Sequence, residues 1–74
     1  MSKLPLLSGV ELCKVLVKLG FQEIRQKGSH KYFRHPDGRA TVVPMHSNRD
    51  IGRGLLRKIL NKIELSREDF LKKL

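Results

Sequence analysis

Pro36-Asp37-Gly38 limits the folds open to this chain more than any other segment. Proline presets one turn dihedral and glycine takes the positive one, so the backbone reverses within a few residues. On either side lie segments of strand character, His30 to His35 and Arg39 to Val43, the second rich in β-branched residues. Strands joined by so short a turn pair antiparallel. Phe21 to Lys27 reads as a further strand ahead of Gly28, which either turns the chain or permits close backbone approach. Alternation along the middle strand puts His30, Tyr32 and Arg34 on one face, and Lys31, Phe33 and His35 on the other.

Helical patterns bracket these strands. Ser8-Gly9-Val10-Glu11 has the spacing of a capping box. Val10, Cys13, Leu16 and Val17 follow at helical intervals, and Gly20 offers a left-handed stop, which predicts a helix over about residues 9–19. Met45 to Asp50 reads as a polar loop. A second helix is predicted over about 52–63, with Leu55, Leu56, Ile59, Leu60 and Ile63 as its buried stripe. Ser66-Arg67-Glu68-Asp69 opens a short terminal helix, with Asp69 as the acidic partner of a capping box and Phe70, Leu71 and Leu74 to dock it. The expectation is one α+β domain over residues 1–74, ordered α-β-β-β-α with a short C-terminal helix. An antiparallel three-stranded sheet carries helices on one face, as in a double-stranded-RNA-binding domain.

Seventy-four residues allow one thin core, worth roughly 3–5 kcal/mol net. The formal charge is +9, from 16 Lys+Arg against 7 Asp+Glu, and basic residues recur in every segment. That balance favours a polyanionic partner, nucleic acid before a membrane surface. No apolar run approaches the roughly 20 residues of a membrane span. The opening Met1-Ser2-Lys3-Leu4-Pro5 lacks the pattern of a signal peptide, and a lone Cys13 fits a cytoplasmic setting. Cys13 reads as a core residue. His30, His35 and His46 have no neighbouring thiol or paired carboxylate at zinc spacing, so neither a metal nor another cofactor is expected.

Gly28-Ser29-His30 sets a histidine at the start of a basic strand. By itself His30 is either an ordinary strand histidine or a proton-transfer group placed among charges that attract RNA. Lys27, Lys31 and Arg34 stand near enough in sequence to steady charge on a phosphate. Tyr32 shares the face of His30 and suits base stacking. Gly28 and Ser29 shape the entry to His30. Arg53, Arg57 and Lys58 are either the wet side of the second helix or further backbone contacts. His46, at the exit of the third strand, reads as a structural or RNA-contact residue before a second, general-acid histidine, and His35 as a solvated one beside a turn. A non-catalytic RNA-binding module and a pure interaction subunit are the competing readings.

The order and spacing of several motifs resemble the HicA toxins, the YcfA-like group. Gly28-Ser29-His30 before an aromatic strand looks like their GSH signature, and Val43-Pro44-Met45-His46 like their V-P-x-H segment. Gly52 to Leu60 is similar to their G-T-L-R-x-I-L helix, with Leu55 where many members carry Thr. Leu65 to Leu71 resembles an L-S-x-E-E-F-L ending, and Ser8-Gly9-Val10-Glu11 with Leu19-Gly20-Phe21 resembles the opening. The resemblance implies a toxin of a type II toxin–antitoxin pair: a ribosome-independent, metal-independent mRNA endoribonuclease of double-stranded-RNA-binding-like fold. It further implies an active-site histidine at His30 and a HicB-type antitoxin covering it.

Overall fold

A computed structural model describes residues 4–46 and 49–74. Met1 to Lys3, and Ser47 and Asn48 in the middle of the expected polar loop, lie outside the described residues. In chain order the elements are β1 (Leu7–Ser8), α1 (Gly9–Lys18), β2 (Gln22–Lys27), β3 (His30–Arg34), β4 (Ala40–Pro44), β5 (Asp50–Ile51), α2 (Arg53–Lys62) and α3 (Arg67–Lys72). The three long strands form one antiparallel sheet in the order β2-β3-β4. Phe33 and Val43 are buried on its inner face, against Leu12 and Leu16 of α1 and Leu56, Ile59 and Leu60 of α2. The helices therefore lie on one side, and the architecture is α+β with the expected α-β-β-β-α order.

The local chemistry of α1 accounts for both of its ends. The Ser8 hydroxyl accepts the Glu11 N–H at 3.1 Å, and the Glu11 carboxylate accepts the Ser8 N–H at 3.0 Å. That bond to the Ser8 backbone is the main reason the Glu11 carboxyl titrates below its ordinary range. At the other end Gly20 has φ 97°, and the bonds Phe21 N–H to Leu16 C=O and Gly20 N–H to Val17 C=O close a Schellman motif. The same pattern ends α2, where Leu65 N–H meets Leu60 C=O and Glu64 N–H meets Asn61 C=O. There the left-handed position, φ 55°, falls on Glu64, where no glycine signal marks it.

Two short strands were not anticipated. β1 and β5 pair antiparallel, Leu7 opposite Ile51 and Ser8 opposite Asp50, and tie the start of α1 to the entry of α2. A two-residue ladder has no periodicity to read. The apolar stripes also differ from expectation. The core face of α1 is Gly9, Leu12, Val15 and Leu16, while Val10 and Val17 are exposed and Cys13 is half-buried. Leu55 is likewise exposed, because α2 turns Leu56, Ile59, Leu60 and Ile63 inward. Both helices carry more apolar residues than the thin core accepts, and docking on the sheet chose among them. Gly9 permits that docking: a Cβ there would stand 3.1 Å from the Pro44 carbonyl oxygen and 2.8 Å from Met45 Sδ.

His35 is not the solvated residue expected. It packs edge-on against Phe21, with ring centroids 5.0 Å apart. Its Nε2 lies 3.2 Å from the Leu19 carbonyl, and its Nδ1 accepts the Asp37 N–H at 3.1 Å. The Asp37 carboxylate also lies 3.1 Å from Nδ1, which ties the ring to the β3–β4 turn. Past Arg34 the alternation turns this ring inward, beneath the bare Cα of Gly20. Arg39 works beside it. Its guanidinium donates to the Ile63 carbonyl at 2.6 Å and to the Asp37 carboxylate at 2.8 Å, joining the β3–β4 turn to the end of α2.

Candidate RNA-facing site

The β2–β3 turn decides how His30 is presented. Gly28 has φ 58° and Ser29 no positive φ, the dihedral order of a type II′ hairpin with glycine at the first central position. No heavy atom lies within 4 Å of where a Gly28 Cβ would be. The glycine therefore makes a turn, and no close backbone approach is involved. His30 is the first residue after it, exposed, on the central strand.

Register then assembles the outer face in three rows: Lys27–His30–Pro44, Arg25–Tyr32–Val42 and Gln22–Arg34–Ala40. The Met45 N–H donates to the Ser29 carbonyl and the His35 N–H to the Arg39 carbonyl. These flanking bonds put His30, Tyr32 and Arg34 in the closer, non-hydrogen-bonded pairs with β4. Pro44 fits there, since its nitrogen points away from β3 on an edge strand. The Arg25 guanidinium lies 4.6 Å above the centre of the Tyr32 ring, a cation–π contact that leaves the charge at the surface.

Among the described residues these rows hold three cations, a histidine and a tyrosine, and no carboxylate. A bulge is responsible. The register shifts between Glu23 and Arg25, leaving Ile24 as the extra residue. Simple alternation back from Lys27 would put Glu23 on the His30 face. The shift sets Glu23 opposite Phe33 on the inner side, where its carboxylate meets the Lys31 ammonium at 3.4 Å.

The expected RNA-contact residues thus separate. Lys27, Gly28 and Ser29 adjoin His30, with Tyr32 one row and Arg34 two rows along the same face. Lys31 faces the helix side and is paired. Arg53, Arg57 and Lys58 belong to the helix layer. Arg53 Nε donates to the Leu4 carbonyl at 2.6 Å, and Arg53 and Arg57 line a concavity beside it with Arg67. Arg25 was missed, though counting back by two from Lys27 reaches it. His46 is exposed just beyond β4, in a groove of about 500 Å³ with Ser8, Arg49 and Asp50. Among the described residues no three His, Cys, Asp or Glu side chains are grouped to hold a metal ion. No helix among them is long and apolar enough to cross a membrane.

The family model described as the HicA toxin of bacterial toxin–antitoxin systems matches residues 9–65, from the first residue of α1 to just past α2. The chain belongs to the HicA toxin family. No curated protein matches it. HicA membership implies a toxin with an antitoxin partner, and the matched span contains the whole outer face of the sheet.

Proposed function

We propose that this HicA-family protein is an endoribonuclease that cuts mRNA without a metal ion, with His30 as its proton-transfer group. The observation that supports this most is the exposed His30 on a basic face from which the bulge at Ile24 has removed the Glu23 carboxylate. The layering, helices on one side and a basic sheet on the other, is that of a double-stranded-RNA-binding-like fold.

The reaction follows from RNA's own chemistry. Neutral His30 takes the proton of a ribose 2′-hydroxyl. The 2′-oxygen attacks the adjacent phosphorus, the bond from phosphorus to the 5′-oxygen breaks, and that oxygen takes a proton from solvent. The products are a 2′,3′-cyclic phosphate and a 5′-hydroxyl. General-base help of this kind contributes roughly 10²–10⁴-fold. Lys27, opposite His30 in the ladder, steadies charge building on the phosphate. Tyr32 and Arg25 form a stacking platform for a base, and Arg34 holds the backbone further along. The antitoxin is of the HicB type and inhibits by covering His30.

The test is RNA cleavage by purified protein in EDTA. The wild type should cut, and His30→Ala should not, with both folded by circular dichroism. Replacing an exposed strand residue costs little stability, within about 0.5 kcal/mol. A folded His30→Ala that cuts at the wild-type rate would overturn the assignment. Products with 5′-phosphates that vanish with chelator would overturn the mechanism. RNA binding without cleavage by the wild type would favour the non-catalytic module.

A further inference from the structure

Helix α1 carries a second apolar stripe that the core does not use. Val10, Cys13 and Val17 fall at i, i+3 and i+7, the spacing of one helix face. Val10 is 54% exposed and Val17 60%. Between this stripe and the inner side of β3 runs a groove of about 360 Å³, lined by Phe33, Met45 and Cys13 with Lys14, Lys31 and Glu23 among its polar residues. Cys13 Sγ lies 3.7 Å from Met45 Sδ, and an unbranched thioether adapts readily to what packs against it. The groove lies on the helix side of the sheet, away from the His30 face.

We propose that this groove docks an apolar side chain carried on an acidic segment of the antitoxin, separate from the part that covers His30. The apolar lining selects a hydrophobic anchor, and Lys14 at its rim selects the charge beside it. The one carboxylate there, Glu23, already meets Lys31 at 3.4 Å and leaves Lys14 for the partner. A second copy of this chain, at +9, brings like charge to a basic rim. An RNA strand meets a mostly aliphatic surface with no aromatic ring exposed to stack on. An acidic protein segment answers both features. The proposal rests on membership of a toxin–antitoxin family and stands independently of any catalytic role of His30.

The experiment uses toxin and cognate antitoxin purified together, in a His30→Ala background throughout so that cells survive. Val17→Asp and Lys14→Glu alter exposed helix positions and should stay folded. Each should weaken antitoxin binding at least tenfold by calorimetry. In the complex, Cys13 should react with iodoacetamide at least tenfold more slowly than in the free toxin. Binding within threefold of the parent in both variants, with Cys13 equally reactive free and bound, would overturn the proposal. So would Cys13 protection by a single-stranded RNA oligonucleotide, or by dimerisation of the toxin alone that Val17→Asp abolishes. Wild-type RNA cleavage is measured separately. Its absence would defeat the proposed activity and leave the groove result standing.

Discussion

Arg34 and Lys31 sit three residues apart on one strand, yet a salt titration should tell them apart. Arg34 lies on the outer face with Lys27 and Arg25. Lys31 lies on the inner face, held by Glu23 at 3.4 Å. Each phosphate neutralised on a single strand contributes about −0.7 to the slope of log affinity against log salt. Three outer-face cations therefore contribute a slope of about −2, or roughly 20-fold weaker binding between about 50 and about 200 mM salt. Arg34→Ala should bring that contribution to about −1.4, or roughly sevenfold over the same range. Lys31→Ala should leave the slope unchanged. It breaks a partly exposed ion pair worth about 0–1 kcal/mol, so the variant stays folded. The assay is fluorescence anisotropy of a labelled single-stranded RNA, in a His30→Ala background to prevent cleavage. Equal flattening by the two substitutions would show that sheet face does not govern RNA contact. An unchanged slope in Arg34→Ala would remove this strand from the RNA surface.

Gly28→Ala must adopt a positive φ, which costs an L-residue roughly 1–2 kcal/mol, and thermal melting should show that loss; unchanged stability would mean the turn tolerates another geometry. Ser8→Ala should cost about 1 kcal/mol at neutral pH. Because the Glu11 carboxyl is held below its ordinary pKa by the Ser8 backbone N–H, its stabilisation is present above the ordinary carboxylate value and lost as pH falls through the lowered one. The difference in stability between wild type and Glu11→Gln should shrink in acid, and a gap that widens there would refute the sign. Arg39→Ala removes a charged donor from the Ile63 carbonyl, and hydrogen bonds of that kind are worth about 1.5–3 kcal/mol; denaturant unfolding should place it well below Arg34→Ala. Burial raises the Cys13 thiol above its ordinary pKa, so alkylation of the free toxin should reach its midpoint at higher pH than that of a small-molecule thiol.

Local signals in the chain were enough to specify the three helices and the three long strands. The capping box at Ser8 and Glu11, the stop at Gly20 and the turn at Pro36 to Gly38 are built from neighbours in sequence, so their physics is complete within a few residues. The same holds for the alternation that separates Arg34 from Lys31, whereas Gly28 left a turn and a close backbone approach equally open until its surroundings were seen. The motif spacing carried family membership, because order along the chain is itself a sequence property. Tertiary structure decided what depends on contacts between segments. Which apolar stripe of α1 enters the core was set by how closely Gly9 lets the helix approach Pro44, and periodicity alone does not distinguish the two stripes. The pairing of β1 with β5, the capture of His35 beneath Gly20 and the reach of Arg39 to Ile63 join residues far apart in sequence. The bulge at Ile24 is the sharpest case. One unpaired residue, assigned only when β2 meets β3, moves the Glu23 carboxylate to the other side of the sheet and leaves the rows around His30 with cations and no carboxylate among the described residues, since side-chain direction in a strand reverses with every residue of register.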